Sequence, residues 1–80
     1  MDKIEKFIRK LQKRDRERIE GVIENIVLRR IAPYRVEKIA GFGNIYRIRT
    51  GRYRVIFFMN KDTSSIIDVN KRDEHTYKNL

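Results

Sequence analysis

The chain has no cysteine, no tryptophan, one proline and one histidine among its 80 residues. Without cysteine there is no disulfide, no thiolate metal site and no nucleophilic thiol, and a single histidine leaves no metal constellation either. A chain that dispenses with disulfides suits a reducing compartment, so the cytoplasm is the expected location. No apolar run approaches the roughly 18 residues needed to cross a bilayer. The first residues include charged Asp2, Lys3 and Glu5 where a signal peptide would be apolar, so the expectation is a soluble, unprocessed protein with no membrane partner. Gly41-Phe42-Gly43 leads into a strand pattern instead of a helix, so it is no phosphate loop, and no nucleophile elbow is present. Neither a cofactor nor a metal is expected.

What is abundant is positive charge. Lys and Arg total 20 against 11 Asp and Glu, a net charge of +9, while 40% hydrophobic residues with four Tyr and four Phe suffice for one small ordered core. Residues 1–80 are therefore read as a single domain, too short to bury two cores, and one that would gain stability from a partner wrapped around it. Residues 1–31 hold ten basic and six acidic groups, the mixed signs of a solvated helix surface. Residues 35–54 carry Arg35, Lys38, Arg47, Arg49, Arg52 and Arg54 against Glu37 alone, which implies a cationic patch and a polyanionic partner.

Periodicity orders the elements. Ile4, Phe7, Ile8 and Leu11 recur at steps of three and four and predict a helix over 2–11. Asp15 is placed to cap a second helix carrying Ile19, Val22, Ile23 and Ile26 on one face, and Gly21 within it suggests close helix packing. Pro33 ends that region, and after a light Val36 and Ile39 pattern the period falls to two. Strands are expected over 45–50 and 53–60, joined by a Gly51-Arg52 turn, with a shorter one over 66–69 after a polar turn at 61–64. The strand over 53–60 is apolar on both faces beyond Arg54, as a central strand is. The fold class is α+β, an N-terminal helical hairpin packed on a small twisted antiparallel sheet of about three to four strands, with residues 70–80 as a polar extension.

Two groups of residues could carry chemistry. Arg47 and Arg49 share one face of a strand at roughly 6–7 Å, near the spacing of successive phosphates, and Arg54 on the next strand can join them. Their guanidinium groups bind phosphate oxygens in pairs and stay charged at any physiological pH, although the same charges would also protect an exposed sheet edge. The tail Lys71-Arg72-Asp73-Glu74-His75-Thr76-Tyr77-Lys78 gathers groups able to move protons. Cleaving RNA through its own 2′-hydroxyl needs a base, an acid and cations around the crowded phosphate, and arginine can supply only the last. His75, Tyr77, Lys71 or a carboxylate would handle protons, while a solvated surface histidine and a packed tyrosine are the ordinary readings of the first two.

The segment Gly43-Asn44-Ile45-Tyr46-Arg47-Ile48-Arg49-Thr50-Gly51-Arg52-Tyr53-Arg54-Val55-Ile56-Phe57 resembles the central hairpin of the RelE/ParE superfamily of toxins. The tail from Lys71 to Lys78 is similar to that family's closing Lys-Arg…Tyr-Lys pattern, and residues 7–26 look like its helical hairpin. The resemblance implies the toxin of a toxin–antitoxin system, neutralised by a cognate antitoxin protein and cutting messenger RNA in the ribosomal decoding site as an endoribonuclease. Carried over by motif position, Arg54 and Arg72 would stabilise the phosphate, and Tyr77 would stack on a base or assist proton transfer, with His75 as its substitute in that role. Arg47 and Arg49 would hold the RNA backbone or act nearby, with Arg52 and Lys71 as further RNA-binding residues. Family members usually begin with a strand, whereas here the helix pattern opens almost at once, so the expected sheet is without that edge strand, and Tyr77 follows Arg72 at a spacing that varies among them. A ParE-like inhibitor of DNA gyrase and a non-catalytic basic nucleic-acid-binding domain are the alternatives.

Overall fold

The computed structural model describes residues 3–71. Helix α1 spans Lys3–Arg9 and α2 spans Lys13–Val27, followed by strands β1 (Val36–Lys38), β2 (Ile45–Thr50), β3 (Tyr53–Met59) and β4 (Ser64–Lys71). The strands form one antiparallel sheet in the order β1-β2-β3-β4, so each strand pairs with its neighbour in the chain. The protein is thus α+β, with two helices on a four-stranded sheet.

Both helices bury their apolar stripes against the same sheet face. Ile8 of α1 and Ile19, Val22 and Ile26 of α2 meet Ile48, Tyr53, Val55, Phe57 and Val69. Phe57 is the largest of the fully buried side chains and stacks at a tilt on Tyr46, with ring centroids 5.7 Å apart. Phe7 meets Tyr53 edge-on at 6.1 Å. Burial of such side chains is worth about 1.5–3 kcal/mol each, which is what fixes the helices to this face.

The strand over 45–50 and the Gly51-Arg52 turn stand where the alternation placed them, and β3 is central, flanked by β2 and β4. Gly51 has φ +59°, a left-handed conformation that two-residue hairpin turns need and that glycine adopts without strain. The last strand is longer than expected, and the reason is a bulge. Phe57 pairs with Ile66 while the adjacent Ile56 pairs with Asp68, so Ile67 is an extra residue. That insertion lets Ile66 and Val69, three apart, both face the core, whereas strict alternation would put them on opposite faces. β1 is a three-residue edge strand built on the Val36 pattern.

Three local expectations are corrected. Asp15 does not cap α2: the N-cap is Gln12, which makes no side-chain capping bond, and Asp15 sits in the first turn, where a carboxylate still favours the positive helix end. Gly21 does not mediate close packing, since a Cβ built there would meet nothing within 4 Å. The first helix ends at Arg9, and Lys10 and Leu11 close it through turns to Phe7 and Ile8.

The C-terminus of α2 closes in a Schellman arrangement. Arg30 N–H donates to Asn25 O and Arg29 N–H to Ile26 O, with Arg29 at φ +61° in the position usually held by glycine. Arg29 Nη2 donates to Asn60 O at 2.7 Å, tying this helix end to the β3–β4 turn. That turn is itself organised by Asn60, whose Oδ1 accepts from the Asp62 and Thr63 amides.

Candidate nucleic-acid interface

The register divides the sequence-predicted residues between two faces. Arg47 pairs with Ile56 and Arg49 stands directly opposite Arg54, so the three guanidinium groups share the sheet face away from the helices. Two like charges directly opposite each other disfavour folding, and a carboxylate offsets them. Glu37, the register partner of Arg47, accepts from Arg47 Nε at 3.1 Å and lies 3.2 Å from Arg49 Nε through the same Oε1. One carboxylate therefore holds two of the three arginines, and the acidic exception in the basic stretch 35–54 turns out to be their clamp. Around them the same face carries Ile56 and Phe58, both half-buried, so it combines cations with apolar surface.

Arg52 and Lys71 lie elsewhere. Lys71 pairs with Tyr53 and so takes the helix side, and with Arg52 it lines a cavity of about 540 Å³ between the start of α2, the β2–β3 turn and the end of β4. Lys10, Arg14 and Arg18 complete its basic lining. These three do not stand out in the sequence, where their charges blend into the mixed pattern of residues 1–31. The signal is the four-residue step from Arg14 to Arg18, which puts both on one face of α2 one turn apart.

Two contacts set the cavity's shape. Tyr53 is buried with its hydroxyl donating to Asp15 Oδ2 at 3.3 Å, which draws the first turn of α2 onto the hairpin. Arg18 lies across Gly51: a Cβ added there would come 2.5 Å from Arg18 Nη1. Glycine at 51 is required by the turn, whose positive φ it adopts without strain, and it leaves room for the mobile end of that guanidinium.

Among the described residues none of the five basic side chains of the cavity is in an ion pair, in contrast to Arg47 and Arg49. Arg72, His75 and Tyr77 lie outside the described residues. Among the described residues there is no grouping of three or more His, Asp or Glu suited to a metal, and no helix long and apolar enough to cross a membrane. No protein-family model, no curated protein and no solved structure matches the chain.

Proposed function

We propose that the protein is the toxin of a toxin–antitoxin pair with a RelE/ParE-like domain, and that it acts on messenger RNA in the ribosomal decoding site as an endoribonuclease. The observation that carries this reading is the juxtaposition of Arg49 and Arg54 across β2 and β3, with Arg47 beside them, on a sheet face away from the helices. That arrangement suits a polyanion, because guanidinium groups bind phosphate oxygens in pairs and stabilise the charge that builds on a phosphate under attack. The two-helix, four-strand α+β architecture is compatible with the family that the hairpin and tail motifs resemble.

In this reading Arg54 faces the reacting phosphate and Arg72, the residue after β4, is the second cation. Arg47 and Arg49 hold the strand on either side, steadied by Glu37. Proton transfer falls to Tyr77 or His75, since arginine can neither give nor take a proton at physiological pH. A cognate antitoxin would neutralise the cationic face.

The test is induced expression in a bacterial host, with growth followed and messenger 5′ ends mapped for wild type, Arg54→Ala and Arg72→Ala. Growth arrest with new cuts in translated messages, both abolished in the variants, is the expected result. Arrest with intact messages and a supercoiling defect would replace it with gyrase inhibition, and no arrest at all would sink the toxin reading.

A further inference from the structure

The cavity between α2 and the β2–β3 turn gathers more basic side chains than the open arginine face does. Its lining holds five basic side chains, Lys10, Arg14, Arg18, Arg52 and Lys71, against one carboxylate, Asp15, which is already engaged by the Tyr53 hydroxyl. No carboxylate among the described residues neutralises any of the five. Clustered like charges raise the local potential and are relieved by a bound anion. The first turn of the 15-residue helix α2 is part of the same wall, and its N-cap residue makes no side-chain capping bond, so the positive helix end adds to the field.

We propose that this cavity is a phosphate-binding site, separate from the open-face arginines, that seats phosphate groups of single-stranded RNA. Arg14 and Arg18, one helical turn apart, present two guanidinium forks to phosphate oxygens, and such forks match phosphate better than a point charge does. Arg52 reaches in from the hairpin turn, and Lys71 flanks the same wall where the chain leads to Arg72. An RNA strand lying over that edge of the sheet would pass from the cavity toward the opposite face, where Arg54 sits. The aromatic group in the lining, Tyr53, is buried in the core, so the cavity recognises the backbone and leaves base reading to other surfaces. This site rests on RNA as the ligand of the proposed function and is independent of cleavage.

The test is fluorescence anisotropy with a short 5′-hydroxyl fluorescein-labelled oligouridylate, repeated over a salt series, and calorimetry with sodium tripolyphosphate. The wild type is compared with Arg14→Gln/Arg18→Gln, Arg52→Gln and, as the open-face control, Arg47→Gln/Arg49→Gln. The cavity double variant is expected to bind RNA about tenfold or more weakly, and its slope of log affinity against log salt should flatten by about 1.4, close to 0.7 for each phosphate of a single strand that is no longer neutralised. Arg52→Gln should move the same way by about half as much, and the open-face control should move less than the double variant because Glu37 already shares those charges. Tripolyphosphate competing with the oligouridylate in the wild type and in the open-face control, but not in the cavity double variant, would show that both occupy the cavity. If the double variant and Arg52→Gln melt like wild type yet keep the wild-type affinity and slope, the site is overturned. If only tripolyphosphate binding falls, RNA is excluded as the ligand and the proposal fails in that form. Intact cavity-dependent RNA binding in a protein that never arrests growth would sink the toxin and leave this site standing.

Discussion

The two basic regions differ in what holds their charges. On the open sheet face Arg47 and Arg49 converge on one oxygen of Glu37, at 3.1 and 3.2 Å. In the cavity beside α2 five cations face one carboxylate, and that carboxylate is turned to Tyr53. The face that looks most cationic in the sequence is thus the one whose charge is partly spent within the fold. The face that looks balanced holds charges that no described carboxylate takes up. Counting residues along a chain measures charge supply, and only the register and the packing decide how much is left for a partner.

Substituting Gly51 attacks one side of this contrast and is expected to have the largest effect on stability. Gly51→Ala forces a side chain into φ +59° and toward Arg18 Nη1, so a loss of about 1–3 kcal/mol in thermal or urea unfolding is expected, along with weaker tripolyphosphate binding. A wild-type melting curve would mean that the turn relaxes freely and that Arg18 is not fixed over it. Gly21→Ala separates stability from charge: it sits on α2, its new methyl meets nothing within 4 Å, and the helix should gain about 1 kcal/mol. Its salt dependence of RNA binding should match wild type, and a change there would mean that affinity follows helix stability instead of the arginines.

The smallest stability change and the sharpest comparison come from Glu37→Gln. The two ion pairs are 28–44% exposed, so removing them should cost under about 1 kcal/mol. Released from the clamp, Arg47 and Arg49 should steepen the salt slope for single-stranded RNA by up to about 1.4. Tripolyphosphate binding in the cavity should stay as it was. Equal gains with both ligands would erase the distinction between the two regions.

Much of the framework was legible because simple periodicities hold. Ile19, Val22, Ile23 and Ile26 mark the packed face of α2, and Tyr46 and Ile48 oppose Arg47 and Arg49 on β2, as alternation requires. The full length of β4 was not, because the bulge at Ile67 breaks the period that would have revealed it. Asp15 has the residue type of a cap, whereas its carboxylate is claimed by Tyr53, which lies 38 positions further along the chain. The same reason hid the cavity: Lys10, Arg14 and Arg18 meet Arg52 and Lys71 only once α2 is laid on the hairpin. The Glu37 clamp needed the β1–β2 register, which a three-residue edge strand scarcely signals.

The strand order, in which each strand pairs with the one that follows it in the chain, sets how quickly this protein comes into being. No strand pairing has to wait for a distant segment to return, so loop closure is short at each step of sheet formation, and only the docking of the two helices spans a long stretch of chain. Refolding from urea should accordingly lie toward the fast end for mixed α and β domains, in the range of milliseconds. A chain of this kind reaches its working shape almost as soon as it is complete, which leaves any partner that must restrain it very little time to arrive.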